Sequence, residues 1–239
     1  MIIKHLIKGS FIDRPNRFTV LFKQENGNED LAHLRDPGRL KELLRPNAKL
    51  LLRKAKVNPK RKTKYDVIGI YKDNLWILLN SGFHSDIADE LIKSQIVDEI
   101  SDYTIERREY TFGKSRIDFL LKNREDPNDK MLLEVKGCTL VEDKIAKFPD
   151  APTIRGKKHL DELIQAQKEN YKSTVLFLVL KEDAEIFTPN TETDPNFSET
   201  LYSAYEKGVN VIPFIFTTKF IDDTLNILPL KKIELKYIK

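Results

Sequence analysis

Apolar residues fall into two rhythms along this chain, and the change comes near the stretch "LNSGFHSD", residues 79 to 86. Before it, apolar positions come as short runs. "FIDRPNRFTVLFKQ" alternates at Phe18, Val20 and Phe22, the period of a strand with one buried face. "AKLLLRKA", "YDVIGIYK" and "NLWILLN" are three more strand-like runs, the last two joined by the turn formers Lys72, Asp73 and Asn74. One short helix is predicted in "DPGRLKELLRP", with Asp36 as N-cap, an apolar stripe at Leu40, Leu43 and Leu44, and Pro46 as terminator. Short strands with one small helix suit a small barrel of the OB type.

After the boundary the period lengthens. "SDIADELIKSQIVDEI" places Ile87, Leu91, Ile92 and Ile96 on one helical face, with Ser85 as the expected cap. Strands are predicted in "YTIERREYTF", "SRIDFLLK" and "KMLLEVKGCTL". A helix follows in "GKKHLDELIQAQKEN", with its stripe at Leu160, Leu163 and Ile164. "TVLFLVL" is apolar throughout, as a strand covered on both faces must be. "NFSETLYSAYEKG" is a helix stopped by Gly208, and "VNVIPFIFTT" is a last strand. The fold class is therefore α/β with an N-terminal all-β part: an OB-like barrel over residues 1–82, then a mixed sheet flanked by helices over 83–239.

Composition narrows the classes. The chain has 239 residues with 40% hydrophobic and 33% charged, which excludes a disordered protein. No apolar run reaches the roughly 18 residues of a membrane span, and the N-terminus lacks the apolar core and cleavage site of a signal peptide. Cys138 is the single cysteine, so neither an intrachain disulfide nor a cysteine-rich zinc site can form, and a reducing cytoplasmic location is expected. The net charge of +4 says little by itself, but the stretch from Lys49 to Lys64 is dense in Lys and Arg and carries no acid. A phosphate-binding surface and a solvated basic loop both fit it.

The sharpest local anomaly is Asp118, set between Ile117 and Phe119 in a strand that otherwise wants burial. Glu134 and Lys136 follow two apart in "LLEVKG" and so share one side of a strand. A hairpin across "NREDPND" would bring Asp118 beside Glu134, where two carboxylates repel unless a cation lies between them. A hard divalent ion, Mg²⁺ or Mn²⁺, takes such oxygen ligands. Phosphodiester hydrolysis needs this set: a cation for the developing phosphoryl charge and an ammonium for the attacking oxygen. No GxxxxGK[ST] loop and no HExxH supports another hydrolase class. A solvated Glu-x-Lys face, or an ion pair of Asp118 with Arg116 or Arg155, remains as the plain alternative.

At these residues the sequence resembles the PD-(D/E)XK nuclease superfamily and, more closely, the sugar fermentation stimulation (SfsA) family. The resemblance rests on "AHLRDPGRLKELL", "SRIDFLL", "LLEVKGCTL", "FPDAPTIRGKKHLDEL" and "GVNV". It implies an OB-like nucleic-acid-binding domain ahead of a PD-(D/E)XK nuclease-like domain, with DNA or RNA as the partner. Asp118 and Glu134 match the two acidic metal ligands and Lys136 the catalytic lysine. Glu90, on the preceding helix, matches a third acid by position only. Two departures stand out: Arg116 and Ile117 precede the first acid where the superfamily has Pro and Asp, and Arg35 and Asp36 replace a more usual Pro and Asn.

Expected nucleic-acid contacts are Arg35, Arg39 and Lys41 in the first domain, Arg116 beside Asp118, and Arg155, Lys157, Lys158 and His159 at the start of a helix. A basic cluster there opposes the helix dipole, so helix stability does not explain it. His159 suits a core position or one near the scissile phosphate. Gly38, after Pro37, could admit a ligand close to the backbone. Phe18 and Phe22 could stack bases or pack in the barrel, and Glu109 could join the site or pair with Arg107. The leading expectation is metal-dependent cleavage of DNA or RNA. The alternative is a non-cleaving DNA-binding regulator of sugar-metabolism genes, and a homodimer stays open.

Overall fold

The computed structural model describes residues 1–36 and 38–237. The chain divides into two compact units. The first comprises Met1–Phe83, Leu180–Glu182 and Phe216–Leu228; the second comprises His84–Val179, Asp183–Ile215 and Pro229–Lys239.

The first unit contains β1 (Ile2–Ile3), β2 (Leu6–Asn16), β3 (Thr19–Gln24), β4 (Glu29–His33), β5 (Lys49–Lys54), β6 (Tyr65–Lys72) and β7 (Leu75–Leu78). The order β4-β3-β2-β5-β6 closes on itself through a β4–β6 pairing, giving a five-stranded barrel of OB topology. Alternation explains its interior: Val20 and Phe22 of β3 and Leu50 and Leu52 of β5 all point into one apolar core. The β6–β7 hairpin turns at Asp73 and Asn74, both at positive φ (51° and 63°), the left-handed pair that matches strand twist.

The helix predicted in "DPGRLKELLRP" does not form. Leu40 takes φ +51°, outside the right-handed region, and only a single turn closes, with the Leu43 and Leu44 N–H groups both donating to the Leu40 carbonyl. Asp36 accepts from the Gly38 N–H at 2.8 Å, holding the loop instead of capping a helix. Leu40 and Leu43 still enter the core. Pro37 lies outside the described residues.

The second unit carries α1 (His84–Ser94), β8 (Tyr103–Phe112), β9 (Ser115–Asn123), β10 (Lys130–Cys138), β11 (Val141–Glu142), β12 (Ile145–Phe148), α2 (Ile154–Lys168), β13 (Lys172–Val179), β14 (Ile186–Pro189) and α3 (Pro195–Glu206). β15 (Asn210–Ile221) and β16 (Thr224–Lys232) belong partly to each unit, and β17 (Glu234–Leu235) to the second. The main sheet of the second unit runs β15-β13-β10-β9-β8, antiparallel at β8–β9–β10 and parallel from β10 through β13 to β15. A smaller sheet orders β11-β12-β14-β17. In the first unit, β1 pairs with β16.

β10 and β13 are covered on both faces, which is why their sequences read as apolar runs. Leu132 and Cys138 of β10 pack in one cluster with Leu160 and Leu163 of α2, so the even-numbered side of β10 faces α2. α1 also packs on β10. It begins at His84, so Ser85 lies inside it and does not cap, and Ile96 falls past its end, half exposed. α3 stops as expected, with Gly208 at φ +87° beyond its last turn. Among the described residues no helix is long and apolar enough to cross a membrane.

Candidate active site

The site lies where two strands part. β9 and β10 pair antiparallel from Lys130↔Lys122 to Leu133↔Phe119, and there the pairing ends. β10 continues alone beside β13, to Cys138↔Val179. At the fork the Asp118 carboxylate accepts the Val135 backbone N–H at 2.8 Å, satisfying a donor that β9 no longer reaches. The register still sets Asp118 beside Glu134, as the predicted hairpin requires.

Glu134 and Lys136 share the α2 side of β10. Lys136 Nζ donates to Glu134 Oε1 at 2.6 Å. Glu134 is 3% exposed, and its Oε2 is buried with no hydrogen-bond partner. His159, also 3% exposed, reaches down from α2: its Nδ1 hydrogen-bonds Glu134 Oε1 and lies 3.3 Å from Lys136 Nζ. Arg155, one turn earlier, donates from Nε to His159 Nε2 at 3.3 Å.

The two carboxylates differ in their charge environment. Burial, and then the negative charge of Glu134, push the Asp118 carboxyl up from 3.8 to about 6. Burial would push Glu134 up too, but the Lys136 ammonium and the His159 hydrogen bond outweigh it and hold Glu134 below the usual carboxylate range. One acid is thus firmly ionised and the other easily protonated.

The first turn of α2 is placed by the residues before it, which explains "FPDAPTIRG". Thr153 caps the helix by accepting from the Gly156 N–H at 2.9 Å. The Thr153 N–H donates to Asp194 Oδ2 at 2.8 Å, while Asp194 Oδ1 caps α3 through the Phe197 N–H at 3.0 Å. A Cβ on Gly156 would press on Thr153 at under 3.0 Å and crowd Phe197 at 3.2 Å, so glycine fits where α2 meets the capping loop. Asn190 closes the base by donating to the Pro149 carbonyl at 3.0 Å.

Beside His159 a cavity of about 500 Å³ is lined by Lys114, Ser115, Arg116, Ile154, Arg155 and Lys158, with no acid. Of the predicted nucleic-acid contacts, Arg116, Arg155, Lys158 and His159 therefore gather in one basic groove. Lys157 turns to Asp161 at 2.8 Å instead. Arg35, Arg39 and Lys41 are exposed in the first unit. Glu109 pairs with Arg116 at 3.5 Å and not with Arg107, and Asp118 forms no ion pair with Arg116 or Arg155. Phe22 is fully buried and cannot stack on a ligand; Phe18 is half exposed.

The resemblance offers Glu90 as a third acid. It is exposed on α1, and the N-terminus of α1 lies against the other side of β10. A Cβ at Gly137, which alternates with Lys136, would collide with the His84 ring. Among the described residues no three His, Cys, Asp or Glu side chains are arranged to hold a metal. His84 was not anticipated from sequence. Its ring is buried on the sheet, its Nε2 has no partner, and burial lowers its pKa to about 4. The signal for it is the glycine directly after the Glu-x-Lys motif.

Two family models match the chain. Residues 82–220 match the family model described as the sugar fermentation stimulation protein RE domain, and residues 12–79 match the SfsA N-terminal OB domain. A sugar fermentation stimulation protein homolog from Methanothermobacter thermautotrophicus is 52% identical over 99% of this chain and 96% of its own length. One from Methanosphaera stadtmanae is 49% identical over 94% and 93%. The solved structure of Pyrococcus furiosus SfsA in complex with Ca²⁺ superposes with a TM-score of 0.89 at 23% identity, covering 99% of this chain and 98% of that one.

Proposed function

This chain belongs to the sugar fermentation stimulation protein family, and from that premise we propose that it is a metal-dependent nuclease hydrolysing phosphodiesters of DNA or RNA. One observation carries the reading. Asp118, Glu134 and Lys136 converge at the β9–β10 fork, and Glu134 keeps one buried oxygen without a partner. A buried carboxylate oxygen left unsatisfied costs stability. Two neighbouring carboxylates, one with a raised pKa, suit a divalent cation far better than they suit each other.

Asp118 and Glu134 would hold Mg²⁺ or Mn²⁺, leaving further positions to water and phosphate oxygens. The bound ion would neutralise phosphoryl charge and acidify a water. Lys136 supports the attacking oxygen or the phosphoryl oxygen through its ammonium. His159 holds Glu134 from one ring nitrogen and orients Arg155 from the other. Lys114, Arg116, Arg155 and Lys158 bind the backbone phosphates flanking the cut. The relative solved with Ca²⁺ is in keeping with a divalent ion in this family.

A second reading, a regulator that binds without cutting, draws on the basic groove alone. Labelled single- and double-stranded DNA and RNA, incubated with Mg²⁺, Mn²⁺ or EDTA, separate the two. Cutting that needs metal and disappears in Asp118→Asn and Lys136→Ala is expected. Binding with no metal-dependent cutting on any substrate would leave the regulator.

A further inference from the structure

The barrel groups exposed rings and lysines around a cavity, away from the residues its sequence nominated. The Tyr71 and Trp76 rings, from β6 and β7, lie 5.0 Å apart by centroid, and Phe220 stands edge-on to Trp76 at 5.5 Å. All three rings are partly exposed. Lys49 Nζ lies 5.4 Å from the Tyr71 centroid and Lys8 Nζ 5.5 Å from that of Phe220. With Lys23 and Ser10 they border a cavity of about 400 Å³, to which Glu25 contributes the one acid.

Lys8, Lys23 and Lys49 are exposed and none forms an ion pair among the described residues. This contrasts with Lys64 and Lys181, which pair with Asp30 and Asp73 in the same unit. A barrel does not need uncompensated cations grouped around exposed rings for its own stability. Such a group matches a ligand that is flat and aromatic at one point and anionic at the next.

We infer that Tyr71, Trp76 and Phe220, ringed by Lys8, Lys23 and Lys49, bind single-stranded nucleic acid by base stacking and phosphate pairing. Bases in a duplex offer only their edges, whereas an unpaired strand offers its faces. The exposed lysine stems can swing from ring to phosphate as a base takes their place. The partner class follows the nucleic-acid reading above, but the surface is a separate one whose occupancy does not depend on cleavage.

Trp76 is the only tryptophan in the chain, so its fluorescence reports this surface directly. The full-length protein in EDTA is titrated with a single-stranded oligonucleotide, the same sequence as duplex, and a mononucleotide. Saturable quenching by the single strand is expected, with at least tenfold weaker response to the other two. Tyr71→Ala should weaken single-strand affinity about tenfold. Lys49→Ala, at an exposed position that leaves the fold intact, should lower the salt slope by about one ion. Absence of quenching, equal quenching by duplex or mononucleotide, or unchanged binding in both variants overturns the assignment. Those results leave the nuclease reading untouched, because cutting does not report on Trp76.

Discussion

Both units have an apolar core, but they differ in what is buried beside it. In the barrel an apolar cluster runs from Phe11 and Val20 to Ile77 and Leu79. In the second unit an ionised Glu134, a lysine and a histidine share a pocket that is nearly as closed as that core. Apolar packing stabilises without specifying chemistry. Buried charge is costly unless paired, and similar-sized apolar residues would often stabilise the fold as well. The contrast teaches that the polar cluster at the β9–β10 fork is kept for what it does.

The largest expected effect tests that contrast at its centre. Lys136→Ala should reduce cutting by about 10²–10³ fold. It also leaves Glu134 buried without its cation, so urea unfolding should show a loss of about 3–5 kcal/mol. Retained stability would mean Glu134 draws its compensation elsewhere. The matching change in the barrel, Leu52→Ala, should cost about 2–5 kcal/mol through a cavity in a fully buried site. At temperatures where it is folded, its rate of cutting per folded molecule should be unchanged, since nothing in that core reaches the chemistry.

Smaller and more specific is a dependence on pH. An acid with a folded pKa above its unfolded one binds more protons when folded, so metal-free stability should fall as pH rises from 3.8 to about 6 and then level off. Asp118→Asn should remove that slope in thermal melts. Because a metal competes with the proton, divalent-ion affinity measured by calorimetry should gain about tenfold per pH unit below 6 and flatten above it. The smallest effect is expected at the rim of the groove. Lys158→Ala removes one exposed cation, so binding should weaken severalfold at most and its salt slope should drop by about one ion.

Much of this was legible in the sequence where periodicity and burial agree. β3, β9, β10 and β13, the helices α2 and α3, the Asp73–Asn74 turn and the Gly208 stop all carry local signals that nothing in the fold overrides. The pairing of Asp118 with Glu134 followed from a hairpin and a two-residue repeat. The loop at Leu40 did not, because a leucine stripe buries equally well from an irregular turn, and its positive φ leaves no trace in the residue types. The neighbours of His159 were unreadable for a related reason. The helix face was clear, but what the sheet presents to it depends on where β9 and β10 part. Phe22, by contrast, obeyed the plain rule that alternating aromatics in a small barrel fill its interior.

Asp194 holds one more consequence. A single carboxylate starts α3 with one oxygen and anchors the cap of α2 with the other. The two helices are thereby keyed to a common origin, as two beams pinned at one joint. The angle at which His159 meets the sheet is fixed by an acid that never touches it, so the tolerance of the reacting centre is set partly by a joint at the foot of a neighbouring helix.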